Sequence, residues 1–165
     1  VNLTVSVTYS CPSRCATCDI WKKKVDDLSV DEYAKLFPTL EKVPVWVTLS
    51  GGDQFVRADF DEVVRLVCNL IEPHIVNIPM NGIITGRIFS MLPRIAALTV
   101  GRQLVLNLSV DEIGEAHDRI RGARGNFEKV KNVAALIRDI QRTYSHVVLG
   151  VHTVISRRNV HRIAD

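Results

Sequence analysis

The chain has 165 residues, enough for one domain with a hydrophobic core, and 47% apolar with 24% charged residues is ordinary for a globular protein. A formal net charge of +3 is too small and too scattered to argue for nucleic acid, and no apolar run is long enough to span a bilayer. The first residues, Val1-Asn2-Leu3-Thr4-Val5, alternate in character instead of forming an apolar block behind a basic start, so no signal peptide is read there.

In chain order, residues 3–9 form the first run rich in Val, Leu and Thr and bounded by breakers, the pattern of a strand. Ser29 then reads as a helix cap, with Glu32 completing a capping box, and Tyr33, Leu36, Phe37 and Leu40 follow at helical spacing. Pro38 is expected to shorten or kink that helix. Residues 45–50 read as a second strand. Phe60, Val63, Val64, Val67, Cys68 and Ile71 make one apolar helical face. Residues 75–79 read as a third strand, and residues 84–98 as a helix interrupted by Pro93. Residues 104–109 are a fourth strand pattern; Phe127, Val130, Val133, Ala134, Ile137 and Ile140 form another helical face; residues 147–155 are a fifth strand pattern.

Strands alternating with helices imply an α/β fold with a parallel sheet and helices packed outside it. The chain starts on a strand and ends at Arg162-Ile163-Ala164-Asp165 just after one, which reads as a partial βα barrel rather than a closed one. The active face of such a barrel lies at the carboxyl ends of its strands. There are no repeats, low-complexity stretches or linkers, and residues 1–165 read as a single domain.

Directly after the first strand comes Cys11-Pro12-Ser13-Arg14-Cys15-Ala16-Thr17-Cys18, a C-x3-C-x2-C motif. Three of the four cysteines crowded this closely do not read as a secreted disulfide framework; they read as a metal site in a reducing, cytoplasmic compartment. Thiolates suit iron–sulfur clusters, and three of them leave the fourth iron of a cubane open to a ligand. A zinc site stays open as an alternative, although zinc asks for a fourth Cys or His and the histidines are scattered. Cys68, on the apolar face of the second helix, reads as a buried structural thiol.

Further turns follow the other strands. Ser50-Gly51-Gly52-Asp53 follows the second; its glycines permit close backbone approach, and its carboxylate can receive an ammonium group or cap the turn. Met80-Asn81-Gly82 follows the third, where an Asn-Gly pair marks a turn or presents Asn81 to a ligand. Ser109-Val110-Asp111 follows the fourth, with His117-Asp118-Arg119-Ile120-Arg121-Gly122 downstream. The three arginines from Arg119 to Arg124 also fit a solvated basic helix end, and His117 reads as structural rather than as a base.

This ordered set resembles the radical S-adenosylmethionine (SAM) superfamily, in its MoaA/SPASM-type group. The flanking Thr8-Tyr9-Ser10 and Asp19-Ile20-Trp21-Lys22 fit the resemblance, as do Phe55, Arg57 and Asp59. It implies a 4Fe–4S cluster on Cys11, Cys15 and Cys18, and a six-stranded core of which about five strands are present. It therefore implies a longer protein continuing on the C-terminal side. It also implies that SAM is held by the Gly51-Gly52-Asp53 turn at its amino group, by Ser109 at its ribose and by Arg121 at its carboxylate, with Asn81 alongside. Two positions depart from the family: Asp53 stands where Glu is usual, and Thr17 where an aromatic residue commonly packs the adenine. The Thr17 backbone still fits that place; Trp21 is a candidate for the stacking, and equally for core packing.

The function so implied is that of a radical SAM enzyme, an oxidoreductase or transferase. In it a reduced cluster cleaves SAM to methionine and a 5′-deoxyadenosyl radical, which abstracts hydrogen from an unidentified substrate. An external electron donor such as flavodoxin or ferredoxin is implied; a peptide is one substrate option among several. The competing reading is a non-catalytic iron–sulfur or electron-transfer module. A nucleic-acid role would rest only on arginine clusters that lack interleaved exposed aromatics.

Overall fold

The computed structural model describes residues 1–162. Five strands, β1 (Asn2–Thr8), β2 (Trp46–Gly51), β3 (Ile75–Met80), β4 (Gln103–Ser109) and β5 (Val147–His152), form one sheet in the order β1-β2-β3-β4-β5. Every neighbouring pair is parallel. This is the open, partial βα barrel expected, with strand bounds within a residue or two of those read from the pattern, except that β5 stops three residues early. The Arg162–Asp165 tail taken as the chain's end lies largely outside the described residues.

The helices are α1 (Val30–Leu36), α2 (Phe60–Leu66), α3 (Thr85–Leu98), α4 (Gly114–Arg121) and α5 (Asn126–Thr143). The capping box forms as read: the Glu32 amide donates to Ser29 Oγ at 3.3 Å, and the Ser29 amide donates to Glu32 Oε2 at 2.8 Å. Pro38 limits α1 to two turns and lies within the 3-10 turn, Phe37–Thr39, that follows it. Pro93, by contrast, does not interrupt α3. It lies on the solvent side, as does Phe89, whose carbonyl is the one deprived of an amide partner, so water can take that bond.

One face of the sheet is apolar and dry. Val47, Leu49, Val76, Ile78, Leu104 and Leu106 are fully buried, and they pack against Phe60, Val63 and Val64 of α2, Ile88 and Leu92 of α3, and Val133 and Ile137 of α5. Cys68 belongs to this cluster, in a π-helical turn that extends α2. The period-two alternation of a strand places the other face's residues between these. That face is polar: Asn107 Nδ2 donates to Asn77 Oδ1 at 2.6 Å, and Asn77 Nδ2 donates to Thr48 Oγ1 at 3.2 Å.

The helix α4 was not among the elements read from the sequence. Its five polar residues give it no apolar stripe, and only His117 and Ile120 are buried. Gly122 closes it in the left-handed conformation, at φ +59°. Asp118 then accepts the amides of Gly125 and Phe127, so a residue of α4 caps the start of α5. These hydrogen bonds outweigh the opposing effect of burial and hold the Asp118 carboxyl below its usual range.

Candidate functional site

All five loops that leave the carboxyl ends of the strands border one open cavity of about 740 Å³, its mouth included. Cys11, Cys15, Thr17 and Cys18 line it from the loop after β1, and Gly51 and Gly52 from the turn after β2. Asn81 lines it after β3, Ser109 after β4 and Arg121 from the end of α4. Nine of the ten residues picked from the sequence therefore meet in one place. The tenth, Asp53, sits beneath: it is 2% exposed, and its Oδ1 accepts the Phe55 amide at 3.1 Å as the cap of a 3-10 turn.

The cysteine loop is held by backbone on two sides. The Ala16 amide donates to the Ile120 carbonyl at 2.8 Å and the Arg14 amide to the Arg121 carbonyl at 3.1 Å, which seats the loop on the end of α4. On the other side, the Gly52 amide donates to the Thr8 carbonyl at 2.7 Å and the Asp53 amide to the Ser10 carbonyl at 2.9 Å. What the two glycines approach closely is thus the cysteine loop itself. A Cβ on Gly51 would lie 2.2 Å from the Thr8 carbonyl oxygen, and one on Gly52 2.2 Å from that of Ser10. With those amides committed, the turn can offer an ammonium group only oxygen acceptors. A register shift in β1 between Ser6 and Thr8 turns the chain just before the loop. Arg57 anchors the same stretch, pairing with Asp59 through Nε and Nη2, both at 2.9 Å, and donating to the Val7 and Leu28 carbonyls.

All four cysteines are free. Asn81 Nδ2 donates to Cys11 Sγ and Arg121 Nη1 to Cys15 Sγ, both at 3.8 Å. Burial pushes the Cys11 thiol up, and the nearby Asp53 and Cys15 add to the rise. Burial likewise raises Asp53, against the lowering effect of the Phe55 amide and Asn81, and its Oδ2 has no hydrogen-bond partner. Ser13 Oγ, which faces the cavity, is buried without a partner as well. Among the described residues no three His, Cys, Asp or Glu side chains converge on a single ion. A cubane does not ask this of its ligands, because each thiolate binds its own iron. Free thiols around one cavity, donors aimed at two sulfurs and unpartnered polar atoms beside them fit a negatively charged cluster with a polar ligand next to it.

Arg121 has a structural duty that the sequence did not show. Its Nε lies 2.8 Å from Oδ2 of Asp111, which is 3% exposed, although the contact is out of line for a hydrogen bond. Asp111 Oδ1 accepts the Val154 amide at 2.9 Å, and its carbonyl accepts Asn159 Nδ2 at 2.7 Å, so one carboxylate ties α4 to the segment after β5. Trp21 fits neither role considered for it. It is half-buried outside the cavity and the core cluster, donates Nε1 to the Cys18 carbonyl at 3.0 Å, and lies under the Arg14 guanidinium. The apolar residues that do line the cavity are Ile20, Pro79, Met80 and Val154. Their types carry no signal apart from position.

A parallel sheet that gathers a three-cysteine loop and four further turns around one cavity at its carboxyl edge defines an α/β domain with a candidate cofactor site there. The family model of the radical SAM superfamily matches residues 5–164, and the chain belongs to that superfamily, whose members use a 4Fe–4S cluster and SAM. Its fold is similar to the solved structure of native anSMEcpe with bound AdoMet and Cp18Cys peptide. The TM-score is 0.70 at 15% identity, covering 99% of this chain and 45% of that one. Native anSMEcpe with bound AdoMet gives a TM-score of 0.65 at 15% identity, covering 99% and 46%. The chain thus spans less than half the length of these structures. No curated protein matches it significantly.

Proposed function

We propose that this chain is the catalytic core of a radical SAM enzyme, with Cys11, Cys15 and Cys18 as the cluster ligands. The observation that carries the reading is that these thiols share one cavity with Gly51, Asn81, Ser109 and Arg121, each from a different part of the sequence. When bound, the cluster and SAM together supply the reductive cleavage that yields methionine and a hydrogen-abstracting 5′-deoxyadenosyl radical. The protein's own part is to bind, orient and shield. Arg121 offers a planar guanidinium to a carboxylate, with Asp111 fixing its direction from behind. The Gly51–Gly52 turn offers oxygen to an ammonium group, Ser109 offers a hydroxyl to a ribose, and Ile20 and Val154 offer apolar surface to an adenine. No side chain needs to act as general acid or base in this step, and none is assigned.

A peptide is the first class to test, since one of the similar folds holds a peptide. A flavodoxin or ferredoxin would serve as electron donor. The reading is tested by anaerobic reconstitution with iron and sulfide, followed by iron analysis and electron paramagnetic resonance. It expects one oxygen-sensitive 4Fe–4S cluster per chain; stoichiometric zinc that resists replacement would overturn it.

A further inference from the structure

An unbroken chain of polar contacts runs from one cysteine sulfur to another through the interior. Arg121 Nη1 donates to Cys15 Sγ, and Arg121 Nε meets Asp111 Oδ2. The Asp111 amide donates to His117 Nδ1 at 3.2 Å. That donor leaves the ring proton on Nε2, which lies 3.0 Å from Asn126 Oδ1 and donates to it. Asn126 Nδ2 donates to the Asn81 carbonyl at 2.8 Å, and Asn81 Nδ2 donates to Cys11 Sγ. His117 is 0% exposed and Asn126 1%. Neither lines the cavity, yet both ring nitrogens and both ends of the Asn126 amide are used.

We propose that His117 and Asn126 are positioning residues for the cofactor site: they hold Arg121 on Cys15 and Asn81 on Cys11, and so set the hydrogen bonding received by two of the cluster's thiolates. This rests on the radical SAM reading above. Hydrogen bonds to ligating sulfur stabilise the more negative, reduced cluster and raise its potential, so the couple reaches the metal through donors it does not itself supply. The arrangement needs a neutral imidazole. Burial lowers the His117 pKa, and the Arg121 charge adds to the lowering.

The test uses the whole chain, reconstituted anaerobically, with redox titration followed by electron paramagnetic resonance and a separate measurement of SAM affinity. His117→Ala removes the link. His117→Asn keeps an acceptor for the Asp111 amide, and His117→Gln keeps a donor toward Asn126. The alanine variant is expected to show a more negative midpoint potential and about tenfold weaker SAM binding at unchanged iron content. Asn and Gln should each restore part of both. Should the alanine variant fail to fold, the other two carry the same readout. Potentials and affinities equal to wild type in the variants that fold overturn the proposal, as does loss of iron with no shift in the cluster that remains. A wild-type chain that takes up no cluster overturns the radical SAM reading itself, and does so before any variant is compared.

Discussion

Gly122 lies directly against Arg14: a Cβ added to the glycine would sit 2.4 Å from the Arg14 carbonyl oxygen. The contact brings the end of α4 onto the cysteine loop and lets the Ala16 and Arg14 amides reach the Ile120 and Arg121 carbonyls. Gly122→Ala must both push this loop away and adopt a left-handed backbone. The backbone term alone costs about 1–2 kcal/mol, or roughly 2–8 °C in Tm for a chain of this size. Iron content after reconstitution should fall together with Tm. Gly101→Ala, at another positive φ with nothing packed against it, should lower Tm but spare the iron.

The four cysteines should separate cleanly. Cys11→Ala, Cys15→Ala and Cys18→Ala should each abolish the cluster, read by iron analysis and visible absorption. Cys68→Ala should keep it and cost about 1 kcal/mol of stability, the ordinary consequence of trimming a buried side chain.

Arg121 calls for a paired experiment. Arg121→Ala strands the buried Asp111 carboxylate, and breaking such a pair costs about 3–5 kcal/mol irrespective of any ligand. Joined to Asp111→Asn, the charge imbalance is removed, and stability should recover while SAM affinity does not. Ser109→Ala is the simpler probe. Loss of one hydrogen bond of about 1 kcal/mol should weaken SAM binding about fivefold with Tm unchanged. Isothermal titration calorimetry on the reconstituted protein reads the affinities, and thermal melts read Tm.

Much of this was legible in the sequence because its signals are local. Alternation and helical stripes gave the five strands and three of the helices, and the Ser29–Glu32 box gave a helix start. Cysteine spacing and the turn after each strand marked the cavity, since parallel strands send their carboxyl ends to one side. Three things were not legible. The helix α4 lacks an apolar stripe because it is pinned by Gly122, His117 and Asp118 rather than by burial of a face. The glycines after β2 carry no label saying whether a ligand or neighbouring backbone approaches them. The pairing of Arg121 with Asp111 depends on the loop between them folding back, which no residue spacing reports.

His117 gives the stability a defined pH dependence. Its folded pKa is lowered, first by burial and then by the Arg121 charge, against the raising effects of Asn126, Asp111 and Asp118. The folded state therefore favours the neutral ring. Its contribution is fully present above the ordinary value of 6.5 and is lost as pH falls from there toward the lowered folded value. Denaturant midpoints of the wild type should drop across that window more than those of His117→Gln, measured side by side.

In the proposed function this cavity holds a cluster that cleaves SAM. The direct measurement is 5′-deoxyadenosine, quantified after anaerobic incubation of the reconstituted chain with SAM and a strong reductant. It should form in wild type and be absent in Cys11→Ala, Cys15→Ala and Cys18→Ala. A wild-type chain fully loaded with a reduced 4Fe–4S cluster that neither binds SAM nor forms 5′-deoxyadenosine would contradict that function.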